Sequence, residues 1–110
     1  MSDFSLNNGN VEIEVNLHGA EVRRIRDVKT QTDYLWNADP AFWNRCSPVL
    51  FPFVGMVRDK VYRYDGKEYG MGQHGFARDM DFTLLSQTED TIWFELDSNE
   101  ETLSKYPLHF

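Results

Sequence analysis

Cysteine is nearly missing from this chain. Cys46 stands alone, so no disulfide can form within it. A lone thiol suits a reducing compartment. With no base beside it in sequence, Cys46 reads as a small buried apolar residue rather than a nucleophile. Long hydrophobic runs are missing too. No stretch approaches the ~20 apolar residues that cross a bilayer. Residues 1–10 are polar and lack a secretory leader pattern. The expected location is therefore the cytoplasm, with no membrane partner. Positive charge is scarce: 11 Lys and Arg stand against 18 Asp and Glu, for a net charge of -7. An acidic domain repels phosphate backbones, which argues against nucleic acid as a partner. The basic cluster Arg23-Arg24-Ile25-Arg26 is too short to reverse that and reads as a solvated strand edge. His18, His74 and His109 are too far apart for a metal-ligand spacing. No serine sits in a nucleophile elbow, and no glycine loop follows a strand to cradle phosphate.

What is present is apolar and aromatic. The chain's 110 residues make one domain at most. At that size ~65% of the unfolded surface can be buried, enough for a modest core. An aromatic share of 15% needs a large core or a stacking surface.

The hydrophobic pattern is that of strands. Val11, Ile13, Val15 and Leu17 alternate with polar residues, a strand with one wet face. His18-Gly19 interrupts it. Ala20 to Val28 resumes as a second extended segment whose alternation slips between Val22 and Ile25, which predicts a bulge. Asp39-Pro40 predicts a capped, short helical turn through Phe42 and Trp43. Pro48 and Pro52 bracket Val49-Leu50-Phe51 and exclude a long central strand there. Val61 to Tyr64, Asp65-Gly66 and Lys67 to Tyr69 predict a hairpin. Phe82 to Leu85 and Ile92 to Leu96 predict two more strands joined by a polar turn. Ser98 with Glu101 fits a capping box for a brief helix, which Pro107 ends. Leu108-His109-Phe110 reads as the start of a further strand, making 1–110 a single partial domain. Strands dominate, and the fold class is all-β, a sandwich or barrel.

The most informative run is Gln73-His74-Gly75-Phe76-Ala77-Arg78, about twenty residues after the run from Ser47 to Gly55. It sets an imidazole and a guanidinium four positions apart beside a glycine. A polar or anionic small molecule suits such a pair. Gly72 and Gly75 allow a ligand close to the backbone. A lone histidine is, however, more often a hydrogen-bonded structural residue. Arg78 has its own bland alternative, a surface pair with Asp79 or Asp81. Arg45 is a second cationic candidate, with stacking on Trp43 as its structural alternative. Trp36, Trp43 and Trp93 could stack on sugar faces, but core packing is the better expectation for at least two.

Beyond these local patterns, an ordered series of segments resembles the aldose 1-epimerase (mutarotase) superfamily, especially its LacX-like branch. The series is Gly19-Ala20-Glu21, Tyr34-Leu35-Trp36, Trp43-Asn44-Arg45, Pro48 to Gly55, Gly66 to Tyr69 and Gln73 to Arg78. Asn99 to Thr102 and Tyr106-Pro107 follow in the same order. The resemblance implies a large antiparallel β-sandwich (a supersandwich) with an open sugar cleft. It implies interconversion of the α and β anomers of an aldohexose, without a cofactor. In such proteins a carboxylate takes the proton of the anomeric hydroxyl and an imidazole protonates the ring oxygen. The ring opens and closes again on its other face.

On this resemblance His74 matches the family's first active-site histidine. Gln73, Arg78 and, in a looser alignment, Arg45 match sugar-binding positions of a hexose 6-phosphate branch. Met56 stands where galactose mutarotases carry a sugar-binding arginine, which argues against galactose. The principal acid histidine and the base glutamate of the family have no match in these 110 residues. The chain therefore looks like an N-terminal third, with little activity expected alone. Two rivals stay open: a non-catalytic carbohydrate-binding or sensing module on the same scaffold, and a fragment that does not fold by itself.

Overall fold

The computed structural model describes residues 2–110, and its architecture is three small antiparallel sheets and one short helix. β1 (Phe4–Asn7), β2 (Val11–Val15) and β3 (Val22–Asp27) form a sheet in that order. The alternation around Val11 holds in the register, where Ile13 lies between Leu6 and Ile25. Glu14 pairs with Arg24 and Val15 with Val22, so Arg23 is the extra residue of the predicted bulge. β1 has no counterpart among the sequence expectations. Two apolar residues, Phe4 and Leu6, give too short an alternation to stand out. The turn is set by Asn8, whose Oδ1 accepts from the backbone N–H groups of Asn10 and Val11 at 2.9 and 2.8 Å.

The outer edge of β3 is covered in part by residues 32–34: the Tyr34 N–H donates to Ile25 O, and Arg26 bridges to Asp33. The Arg26 guanidinium grips Asp33 with two bonds of 2.7 and 2.9 Å, while Arg24 takes Glu14 at 2.8 Å. The basic cluster is thus an edge neutralised by acidic partners. The hydrogen bonds from Arg26 hold the Asp33 carboxyl below its usual range. Its stabilising share is present above the unfolded carboxylate pKa of about 3.9 and is lost as pH falls through the lower folded value. Replacing Asp33 by Asn is expected to flatten the acid limb of a urea-midpoint profile below about pH 4. Unchanged curvature there would count against the pair.

β4 (Val61–Tyr64) and β5 (Lys67–Gly70) form the predicted hairpin. Asp65 and Gly66 take φ of 50° and 77°, as a type I′ turn requires. β6 (Thr83–Gln87) and β7 (Ile92–Glu95) form the third pair. It leans on the first sheet through the Phe4–Phe94 ring contact at 5.6 Å and the bond from Gln87 Nε2 to Ser5 O. α1 spans Glu100–Lys105. Its capping box is Asn99 with Thr102, one residue later than the expected Ser98 and Glu101. The amide of Asn99 reaches the Thr102 N–H at 2.9 Å, and the Thr102 hydroxyl returns to the Asn99 N–H at 2.8 Å. Residues 108–110 do not form the expected strand. The Ser98 N–H donates to Phe110 O instead. Asp39 caps a single turn, accepting from Ala41, Phe42 and Trp43, and no helix follows.

The aromatic share divides in two. Phe51, Phe53, Tyr62, Phe76, Tyr106 and Phe110 form one edge-to-face cluster joining the Pro48–Gly55 run, the β4–β5 hairpin and the segment after α1. The tryptophans do not join a core: Trp36, Trp43 and Trp93 are 40%, 48% and 61% exposed, which corrects the expectation of core packing. No described helix is long and apolar enough to cross a membrane.

Candidate functional site

The two informative runs, twenty residues apart in sequence, are one structural unit. Phe51 O accepts from the N–H groups of Phe76 and Ala77 at 3.0 and 3.1 Å. The His74 N–H donates to Gly55 O at 2.7 Å, and the Gly55 N–H donates back to His74 Nδ1 at 2.8 Å. Gly75 makes the approach possible: its φ is +76°, and a Cβ there would lie 2.2 Å from Phe51 O. A second close approach is at Gly19, where a Cβ would lie 2.7 Å from Arg78 O. It seats the β2–β3 turn against the far end of the same loop.

The clamp decides the chemistry of the imidazole. A backbone N–H can only donate, so Nδ1 of His74 is an acceptor and the neutral ring carries its proton on Nε2. The residue sits at φ +62°, a left-handed conformation that costs a non-glycine residue roughly 1 kcal/mol or more. Two hydrogen bonds to Gly55 hold it there. The ring is half-buried. Its Nε2–H has no hydrogen-bond partner among the described residues. Gln73, beside it on the turn, is exposed.

Arg45 and Arg78 are brought together separately, around Asp79. Arg45 does not stack on Trp43 as its structural alternative has it. It bonds Asp79 Oδ1 at 2.6 Å and the Arg78 carbonyl at 3.4 Å. Arg78 Nε is buried without a hydrogen-bond partner and lies 3.9 Å from Asp79 Oδ2. Two guanidiniums against one carboxylate leave a local positive excess in an acidic chain. That suits a hydroxyl-rich or anionic ligand. No hydrogen bond among the described residues joins this group to His74 or Gln73. A cavity of about 420 Å³ adjoins both, lined by Gly72, Gly75, Phe76, Asp79, Glu101 and Lys105 among others. His74, Gln73, Arg45 and Arg78 are not among its lining residues. Among the described residues no three His, Cys, Asp or Glu side chains converge on a metal position. His18 and His109 bond Asp81 and Ser98 near the surface.

One supporting residue was not legible as such in the sequence. Glu21 is 8% exposed. Its carboxylate accepts from the N–H groups of Cys46 and Ser47 at 3.1 and 3.2 Å and from Arg23 at 2.7 Å. It therefore fixes the backbone next to Arg45 to the bulge of β3. Cys46 is buried beside it, its thiol donating to Trp36 O at 3.0 Å, and burial pushes that thiol's pKa up. Replacing Glu21 by Ala strands two backbone donors and a guanidinium. A loss of about 3 kcal/mol in urea unfolding is expected. A loss under about 1 kcal/mol would show that water replaces the staple.

The course of its backbone places the chain among galactose mutarotase-like folds. It superposes on a galactose mutarotase related enzyme from Lactobacillus acidophilus with a TM-score of 0.95 and 40% identity, over 97% of this chain and 36% of that one. A galactose mutarotase-like protein from Lactobacillus casei gives 0.93 and 35%, over 96% of this chain and 36% of that one. The chain belongs to the aldose 1-epimerase family, whose profile matches residues 2–110. Among curated relatives, the chromosomal LacX protein of Lactococcus lactis is 34% identical over 112 residues, 97% of this chain. The chain spans 37% of that relative's length.

Proposed function

We propose that this chain is the N-terminal, sugar-holding part of an aldose 1-epimerase domain that interconverts the α and β anomers of an aldohexose or its 6-phosphate. One observation carries the reading: the reciprocal Gly55–His74 clamp, which presents an imidazole Nε2–H from a rigid turn. Family membership supplies the reaction. His74 would hold a proton against the ring or a hydroxyl oxygen, and Arg45, Arg78 and Gln73 would bind sugar oxygens or a phosphate. Met56 in place of an arginine argues for a substrate other than galactose. Acid–base ring opening also needs a carboxylate base, and on the family resemblance neither the principal acid histidine nor the base glutamate has a match within residues 1–110. The chain by itself is therefore expected to be nearly inactive. A free buried thiol such as Cys46 supports a cytoplasmic setting.

The test is a chimera in which residues 2–110 replace the matched segment of the L. acidophilus enzyme. Polarimetry should show α-D-glucose or glucose 6-phosphate reaching anomeric equilibrium faster than in buffer. The alternative reading is a non-catalytic carbohydrate-binding or sensing module on the same scaffold. Sugar binding by the chimera with no acceleration on any hexose would select that reading.

A further inference from the structure

Burying a carboxylate is costly, and among the described residues Glu21 is the charged one that is buried. Three hydrogen bonds offset that cost. The Cys46 and Ser47 N–H groups donate to Oε2 at 3.1 and 3.2 Å, and Arg23 donates to Oε1 at 2.7 Å. The two backbone donors belong to the residues directly after Arg45. Ser47 adds its hydroxyl, which donates to Val22 O at 2.8 Å. Residues 45–47 lie in neither helix nor strand. These bonds, and not regular secondary structure, therefore set the place from which the Arg45 side chain starts.

The same stretch of chain also holds the segment that carries Arg78. The Gly19 N–H donates to Met80 O at 2.7 Å, the Phe82 N–H donates to Leu17 O at 3.1 Å, and His18 Nδ1 meets Asp81 Oδ1 at 2.8 Å. Gly19 packs so closely on Arg78 that a Cβ would lie 2.7 Å from its carbonyl oxygen. That carbonyl also accepts from Arg45 Nη1 at 3.4 Å, while Asp79 takes Nη2 at 2.6 Å. Segments 17–23, 45–47 and 78–82 are thus each bonded to the other two. In a joint closed on three sides, neither arginine can shift against the other without breaking a bond. His74 lies outside this joint, fastened to Gly55.

We propose that Glu21 is a positioning residue for sugar binding. Through the amides of Cys46 and Ser47 it sets the spacing of the Arg45 and Arg78 guanidiniums, and with it the affinity for a hexose or its 6-phosphate. The inference rests on the proposed role of Arg45 in holding sugar. A carboxylate suits the task because one oxygen takes both amides while a guanidinium pins the other, so the group cannot turn. A binding group misplaced by about 1 Å can cost on the order of 100-fold.

The experiment is a double-mutant cycle in the chimera. KM and kcat come from polarimetry on α-D-glucose, and Kd for D-glucose and glucose 6-phosphate from calorimetry. Arg45→Ala should raise KM and Kd about tenfold, the loss of one charge-assisted hydrogen bond. Glu21→Ala should raise them about as much, with kcat held within about twofold. In the Arg45→Ala background Glu21→Ala should add less than about twofold, because it acts through Arg45. A purely structural carboxylate would lower the folded fraction, and so kcat, in both backgrounds while KM stayed in place. That result overturns the proposal, as do additive effects on Kd or an Arg45→Ala variant with unaltered constants. Where Glu21→Ala fails to fold, Ser47→Ala removes only the hydroxyl bond to Val22 O. It should raise KM about threefold, and only when Arg45 is present. An unchanged KM there overturns the proposal. A chimera that binds sugar without turnover sinks the acid–base reading alone, and the cycle is then read in Kd. A chimera that neither binds nor turns over either sugar removes the proposed function and this inference together.

Discussion

Replacing His74 by Asn in the chimera is expected to slow anomer exchange about 100-fold or more, the range for loss of a positioned acid or base. The fold should be unaltered. Asparagine is chosen because it separates two roles that alanine confounds. His74→Ala would remove the Nε2 proton and would also strand the Gly55 N–H, which Nδ1 now accepts at 2.8 Å. Leaving a buried donor unsatisfied costs about 1–3 kcal/mol. The asparagine amide oxygen sits near the Nδ1 position and can accept the same bond. Asparagine also tolerates the left-handed backbone found here, at φ +62°. A chimera with His74→Asn that melts like its parent but fails to equilibrate glucose assigns the proton to the imidazole. Undiminished polarimetric rates would reduce His74 to a fastener of the Gly55 loop, the bland reading that a lone histidine always invites.

That distinction could not have been drawn from sequence, for a physical reason. The run Gln73 to Arg78 marks itself by residue type, and the Pro48–Gly55 run by its prolines. Nothing in either indicates that Phe51 O takes two amides from the other, or that Gly55 fixes a tautomer. Long-range backbone pairing has no local pattern. Where the interaction is local, the sequence is legible. Asp65-Gly66 dictates its turn, and the slip between Val22 and Ile25 shows the bulge at Arg23. Asn99 is not singled out as the cap by sequence, because Ser98 with Glu101 offers the same spacing one residue earlier, and only the side-chain bonds decide between them. The exposure of the tryptophans is not legible in sequence, because apolar content does not say which surface a side chain faces. Glu21 shows the converse. A carboxylate among charged residues looks solvated, yet its buried partners are backbone amides 25 and 26 residues away.

Gly75→Ala is the substitution expected to damage the fold most. Two independent costs meet at this position. The backbone is at φ +76°, where an L side chain is strained by roughly 1–2 kcal/mol. The added Cβ would also lie 2.2 Å from Phe51 O, 2.4 Å from Phe51 C and 2.6 Å from Pro52 N, all backbone atoms that cannot swing aside. Relief requires the 51–52 segment to withdraw, and withdrawal breaks the bonds from Phe76 and Ala77 to Phe51 O. Each of those contributes about 1 kcal/mol. The total is about 4 kcal/mol, at the upper end for a single substitution. Gly66→Ala is the matched control: its φ is +77°, but its Cβ would meet nothing within 4 Å. It should lose only the conformational share, about 1 kcal/mol. Urea midpoints of the two variants in the chimera give the comparison. Equal losses would mean that the crossing of the two runs is loose. The His74 ring would then have no rigid turn to present it, and the geometry on which its proposed role depends would fail with it.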